Sequence, residues 1–481
     1  MIGAVIGRKQ EIEILRKRYH SNKSEFIAIY GRRRVGKTYL VNQVFENQIT
    51  FAHTGLAPTE QKNRTRKEQL KSFYLSLKLH GYKERRVPTD WLEAFYMLEK
   101  LLTESDTGKR QIVFIDELPW MDTRKSGFIT ALESFWNNWC YRKNNIMLIV
   151  CGSATSWMMD KLINNHEGLY NRLTYHMKLS PFTLNECEKF YYSIDVSLSR
   201  YDIVQSYMIM GGIPYYMGYV DGSMSLAQNI DALFFTKGGK LRSEYDNLFS
   251  SIFINPEEMK RIVEFLYTRN SGFSRKEIIQ KVGIKDGGEF SDRLEALLES
   301  DFVLEYIPFG ITGKVKYYKL VDPFILFYLR FVKDQQMFGA NYWLSRQNSQ
   351  SVIAWKGYSF ENVCFNHIEQ IKAGLKIQGV ISRESAWPKK SDDTEGTQID
   401  LLIEREDNVV NSCEIKFYGE EFTVNKQYYM TLLRRQSLLQ ESISKKSTIH
   451  NTLITTFGLK RNEYSGIFVN VITMEDLFKD V

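Results

Sequence analysis

The stretch "FIAIYGRRRVGKTYLVNQVF", beginning at Phe26, constrains the fold more than any other part of the chain. Phe26 to Tyr30 is an apolar run that reads as a buried strand, Gly31-x4-Gly36-Lys37-Thr38 follows, and a helical pattern starts at once. A strand turned into a helix by a glycine-rich loop calls for a parallel α/β layer with the loop at the strand's C-terminal end. The glycines let backbone N–H groups wrap an anion, and the helix N-terminus adds positive potential. Gly31, Arg34, Gly36 and Lys37 are thus nucleotide-binding candidates, with Lys37 on the β- and γ-phosphates and the Thr38 hydroxyl on Mg²⁺. At average residue frequencies only ~0.02 chance matches to this pattern are expected in a chain of this length.

Two further apolar runs support that layer. "QIVFIDELPWMD" runs into Asp116 and Glu117, so both carboxylates emerge at a strand's C-terminal end. There Asp116 would complete the Mg²⁺ shell, and Glu117 would orient or polarise an attacking water. "IMLIVCGSATSWM" ends in small polar residues. Ser153 is either a sensor of the water or γ-phosphate, or the cap of a strand-to-helix turn.

Composition narrows the class. At 481 residues, 43% hydrophobic and 25% charged, the chain reads as a globular protein of several domains. The formal charge of +7 permits nucleic-acid contact without demanding it. The clusters "KNRTRKEQLK" (Lys62 to Lys71) and "KERR" (Lys83 to Arg86) read first as solvated faces. Five cysteines without a C-x-x-C pair argue against a zinc ribbon or a disulfide framework and for a reducing compartment. No signal peptide or membrane-spanning run is evident, so a cytoplasmic location is expected.

Pattern shifts divide the chain into residues 1–175, where strands and helices alternate; 176–249, mostly helical; 250–322; and 323–481. The third segment reads as three helices and a hairpin, a winged helix-turn-helix. Ser274 and Glu277 stand at capping-box spacing. Its candidate recognition helix carries Glu289, Asp292, Glu295, Glu299 and Asp301 against one Arg293, which phosphates would repel. The wing carries Lys314, Lys316 and Lys319. Packing or protein contact and duplex contact through the wing both stand as readings.

The segments "IGRKQEIEIL", "GRRRVGKT", "FIDELPWM", "CGSATSWM", "GLYNRLT" and "GGIPYYM" together resemble the AAA+-related P-loop ATPases often called archaeal-type, which also occur in bacteria. The resemblance covers roughly Met1 to Val220. It implies an ATPase using ATP and Mg²⁺, with Arg8 of Gly7-Arg8-Lys9-Gln10-Glu11 against the adenine. It also implies an arginine finger at Arg172, reaching a neighbouring subunit of a homo-oligomer. Asn171 stands where that family usually has glycine, and an ordinary surface arginine is the alternative.

In "QIDLLIEREDNVVNSCEIKFYG", Asp400, Glu414 and Lys416 interrupt strand-like apolar runs. The i, i+2 spacing places Glu414 and Lys416 on one face. Glu361 in "WKGYSFENVCFNHI" offers a third carboxylate from a preceding helix. Helix, Asp, then Glu-x-Lys resembles the PD-(D/E)XK nuclease superfamily, although its naming proline is absent before Asp400. That resemblance implies Mg²⁺ on Glu361, Asp400 and Glu414, Lys416 stabilising hydroxide, and DNA as a partner. A D-x(10–20)-E-x-K match arises about once per chain of this size by chance. A live metal site, a degenerate nuclease fold and an ordinary charged hairpin all remain open.

The expectation is an α/β protein: an AAA+-like parallel-sheet core, a helical lid, a winged helix and a restriction-endonuclease-like domain. Its ATPase would control a metal-dependent DNA endonuclease. The alternative is a nucleotide switch with a catalytically inactive docking domain.

Overall fold

The computed structural model describes residues 5–57, 65–164, 169, 171–253, 255–309, 315–335, 341–389 and 397–481. Lys62 to Arg64, Gly168, Tyr170 and Lys314 lie outside the described residues. The chain divides into two compact units. The first holds Met1–Ser180, Asn247–Pro256 and Asp292–Ser300; the second holds the rest. No helix among the described residues is long and apolar enough to cross a membrane.

The first unit contains β1 (Glu25–Tyr30), β2 (Ile49–Thr54), β3 (Gln111–Asp116), β4 (Ile146–Gly152) and β5 (Tyr175–Lys178). They form one parallel sheet in the order β2-β3-β4-β1-β5. Every residue of β1, β3 and β4 is buried, which is why these strands read as unbroken apolar runs. Strands β2 and β5 lie at the edges and are only partly buried, so neither run stands out in the sequence. The boundary expected after Tyr175 falls inside β5. Because β4 lies between β1 and β3, its tip sits between the loop after β1 and the carboxylates after β3. Helices α1 (Lys9–Tyr19), α2 (Lys37–Val44), α3 (Arg66–Leu79) and α4 (Trp91–Glu104) follow in chain order. The apolar face of α4 joins Phe73, Phe128 and Trp136 in the core over the sheet.

In the second unit, helices Leu184–Ser193 and Arg200–Met210 precede a smaller assembly. Helices Pro256–Tyr267, Arg275–Val282 and Gly288–Glu299 accompany an antiparallel sheet of β6 (Phe273–Ser274), β7 (Val303–Tyr306) and β8 (Tyr317–Leu320), in the order β6-β8-β7. Ser274 and Glu277 form the expected capping box. From Asp292 the third helix belongs to the first unit, where Glu299 pairs with Lys178 at 3.5 Å.

The C-terminal part is a mixed sheet of β9 (Ser382–Lys389), β10 (Thr397–Arg405), β11 (Val409–Lys416), β12 (Thr448–Thr455) and β13 (Asn470–Thr473), ordered β13-β12-β11-β10-β9. Strands β9, β10 and β11 pair antiparallel, and β11, β12 and β13 pair parallel. Helix Gln350–Asn366 packs on β11, and helix Lys426–Ser442 packs on β12. The β9–β10 ladder pairs Ile399 with Trp387 but Leu402 with Ser385, so β10 carries one extra residue across Asp400 and Leu401. Such a bulge re-aims the side chains beside it.

Candidate functional site

The loop after β1 is built by backbone demands that the sequence meets. Gly31 has φ 132°, and a Cβ there would lie 2.4 Å from the carbonyl oxygen of Leu179. Gly36 has φ 96° and caps α2; Arg34, at φ 74°, adds a second left-handed turn. The α2 N-terminus therefore opens onto the loop with its first N–H groups unpaired within the helix. Lys37, the first residue of α2, is buried and donates from Nζ to the carbonyls of Gly31 (2.9 Å) and Arg32 (3.0 Å). Burial lowers its pKa; Glu117 is the largest opposing influence.

The Thr38 hydroxyl donates to Asp116 Oδ2 at 2.7 Å, joining the start of α2 to the end of β3. Glu117 follows with φ 47°, a left-handed conformation rare outside glycine. Its carboxylate accepts from both the backbone N–H (3.1 Å) and the hydroxyl (2.7 Å) of Ser153 at the tip of β4. Burial pushes the Glu117 carboxyl above its ordinary range, and the Lys37 charge opposes this. Of the two readings offered for Ser153, the side chain grips Glu117 and does not cap the helix that follows. Thr38 and Asp116 meet as two hard oxygen donors within hydrogen-bond distance, a donor set that suits Mg²⁺.

Arg8 caps α1 at φ 55° and donates to the Ser180 carbonyl at 2.6 Å, just past β5. Arg172 is exposed, with its guanidinium 5.9 Å from the Tyr141 ring centroid. Asn171 takes φ 54°, a conformation that asparagine tolerates best after glycine, so its substitution leaves the turn intact.

In the C-terminal sheet, Glu414 is 5% exposed and carries two cations. Lys416 Nζ lies at 2.6 Å and Arg435 Nη1 at 2.7 Å, and the Tyr428 hydroxyl donates to it as well. Burial alone would raise the Glu414 carboxyl, but Lys416 and Arg435 together hold it below its ordinary value. Asp400 accepts from the Ile415 N–H at 3.3 Å and, more weakly, from Gln398 at 3.5 Å. Burial, reinforced by Glu414, pushes the Asp400 carboxyl up to about 6. Glu361 accepts from Asn270 at 2.8 Å; burial and the Asp400 charge raise it to about 7.

Asp400 and Glu361 thus share a neighbourhood, while Glu414 is engaged with Lys416, Arg435 and Tyr428. Among the described residues no group of three His, Cys, Asp or Glu is arranged to hold a metal ion. In this arrangement the expected set Glu361, Asp400 and Glu414 does not fit a metal. The sequence pattern gave no sign of Arg435, Tyr428 or Asn270. Arg435 and Tyr428 lie on the later helix Lys426–Ser442, and Asn270 lies far upstream.

The basic wing needs correction. Lys316 is paired with Glu305 at 2.7 Å. Lys319 is only 5% exposed and lies near Glu361 and Asp400, not on a solvated face. Three of the four β8 residues are buried, so this strand offers Lys319 to no duplex.

Comparisons with known proteins bear on the first of these sites. Residues 6–220 match the profile of a family described as an ATPase domain predominantly from Archaea. MJECL04, an uncharacterised protein of Methanocaldococcus jannaschii, is 25% identical over 445 residues, spanning 90% of this chain and 92% of that protein. The ATP-binding protein MJ0423 of the same organism is 46% identical over 43 residues, 9% of this chain and 73% of that protein. Among solved structures, the Walker-type ATPase paby2304 of Pyrococcus abyssi aligns with a TM-score of 0.47 at 20% identity, over 68% of this chain and 96% of that one. The ORC2 protein of Aeropyrum pernix aligns with a TM-score of 0.43 at 13% identity, over 68% and 93%. Through residues 6–220, the chain belongs to the archaeal-type family of P-loop ATPases.

Proposed function

We propose that the protein is a Mg²⁺-dependent ATP hydrolase whose nucleotide state governs a C-terminal nuclease-like domain acting on nucleic acid. One observation carries the first half: Lys37, Thr38, Asp116, Glu117 and Ser153 converge at the C-terminal edge of β1, β3 and β4. The loop and the start of α2 cradle the phosphates through backbone N–H groups. Lys37 exchanges its two carbonyl partners for phosphate oxygens. Thr38 and Asp116 hold Mg²⁺, which neutralises charge on the β- and γ-phosphates when bound. Glu117 orients the attacking water and accepts its proton, and Ser153 positions the Glu117 carboxylate. Arg8 contacts the base side of the nucleotide. The exposure of Arg172 supports its reaching the site of a neighbouring copy.

The second half rests on the topology of the C-terminal sheet. Asp400 and the Glu414-x-Lys416 pair lie on adjacent antiparallel strands, next to a helix bearing Glu361. This supports a restriction-endonuclease-like domain over residues 323–481, after a core (1–175), a helical lid (176–249) and a winged helix (250–322). We derive no cleavage step, because Glu414 is engaged by Lys416 and Arg435. That same engagement favours a second reading, a nucleotide switch with an inactive docking domain. The test incubates purified protein with plasmid and single-stranded DNA in Mg²⁺ or Mn²⁺, with and without ATP, alongside Lys37→Ala and Asp400→Ala. The proposal expects cleavage that Asp400→Ala removes and that responds to Lys37→Ala. ATP hydrolysis lost with Lys37→Ala but accompanied by no cleavage favours the switch, and hydrolysis indifferent to Lys37→Ala overturns both readings.

A further inference from the structure

Lys319 is a buried lysine on β8 for which, among the described residues, no direct hydrogen bond or ion pair is found; burial lowers its pKa, and the Glu361 and Asp400 charges oppose this. Its nearest defined contact is the face of Phe365, with Nζ 4.8 Å from the ring centroid. The side chain lines a cavity of about 20 Å³ together with Glu361, Asp400, Asn270 and Gln398. That volume holds one water or one small ion. The two carboxylates there receive hydrogen bonds from neutral donors only: Asn270 on Glu361, and Ile415 N–H and Gln398 on Asp400. Lys319 therefore supplies cationic charge that a divalent ion would otherwise bring to this pair. Glu414 already has Lys416 and Arg435, so three carboxylates face three protein cations.

We propose that Lys319 is the resident cation of the Glu361–Asp400 cavity and stands in the place of a divalent metal, so that the pair binds such an ion tightly only in a variant that lacks this lysine. The inference rests on the nuclease-like reading above and names the device that keeps that site closed. The lysine stands on β8, a strand outside the sheet that carries Asp400. With every group ionised, the two carboxylates and the lysine carry a net charge of −1, and the carboxylates alone −2. An ion that must share a small, poorly solvated cavity with an ammonium is repelled by it at short range.

The experiment titrates Mn²⁺ into full-length protein without nucleotide and follows the loss of the free-ion electron paramagnetic resonance signal. Wild type, Lys319→Met and Lys319→Arg are compared, each with and without Asp400→Asn. The expected result is at least tenfold tighter Mn²⁺ binding in Lys319→Met, loss of that gain with Asp400→Asn, and wild-type behaviour in Lys319→Arg. Lys319→Gln carries the same test if the methionine variant does not give a cooperative unfolding transition. Equal, Asp400-dependent affinity in wild type and Lys319→Met overturns the inference and leaves the metal site standing. No Asp400-dependent binding in any variant at millimolar Mn²⁺ overturns the metal site itself, and the inference with it.

Discussion

Ser153→Ala tests whether the Ser153–Glu117 contact tunes the proposed catalytic base. The hydroxyl bond to Glu117 is 2.7 Å long and ends on a carboxylate, and the Ser153 N–H on the same oxygen survives the substitution. A hydrogen bond to a charged group contributes about 1.5–3 kcal/mol, and the retained N–H argues for the lower end. At 1.36 kcal/mol per pKa unit, losing about 1.5 kcal/mol raises the Glu117 pKa by about one unit. The sign follows from the bond favouring the ionised form. Its removal adds to the upward push that burial already exerts on this carboxyl. The assay is phosphate release as a function of pH, analysed as kcat/KM, because that ratio titrates the free enzyme, the state described above. The acid limb should move upward by about one unit while the plateau at high pH changes less. Glu117→Gln should remove the limb together with most of the turnover. If Ser153→Ala lowers kcat/KM equally at every pH and leaves the limb in place, Ser153 does not tune Glu117.

Two predictions concern the C-terminal sheet. Glu414→Gln leaves Lys416 and Arg435 without their shared counter-charge. Since both cations are about a quarter exposed, the cost should be roughly 2–3 kcal/mol, below the range for fully buried pairs. That corresponds to about 3–5 °C in the thermal unfolding of this unit. A shift of less than about 1 °C would show that the pairs contribute nothing to stability. The second prediction uses pH. Glu361 has a folded pKa near 7 against an ordinary 4.5, so its contribution to stability is full below the ordinary value and is lost as pH rises through about 7. The stability of wild type relative to Glu361→Gln should therefore fall between pH 4.5 and 7, by on the order of 3 kcal/mol at most. A difference that does not change with pH would refute it.

What was legible in the sequence depended on burial. Strands β1, β3 and β4 are buried along their whole length, so composition alone marked them, and the glycine pattern located the loop between them. The edge strands β2 and β5 are half-wet and short, which leaves little periodicity to find. Strand β12 escaped for another reason: its buried positions include Asn451, Thr452 and Thr455, which a search for apolar runs passes over. Asp400, Glu414 and Lys416 were found because charges inside apolar runs need a reason. Lys319 reads in sequence only as one of the lysines of the wing, because strand alternation does not report what another sheet brings against the strand. Arg435 and Asn270 lie on elements with no motif, and only the fold brings them to the carboxylates.

The extra residue in β10 has a consequence for how this sequence can change. Its ladder with β9 is one step out of phase across Asp400 and Leu401, while its ladder with β11 runs regularly from Leu401 to Glu404. Loss of one residue at the bulge would regularise the outer ladder and bring Ile399 toward the place of Asp400. The sheet would survive with a smoother edge, and one member of the charged group would be gone. A single in-frame deletion is thus a short route from an ionised centre to a plain structural sheet, opposed chiefly by the packing of Ile399 against Trp387 and Leu402.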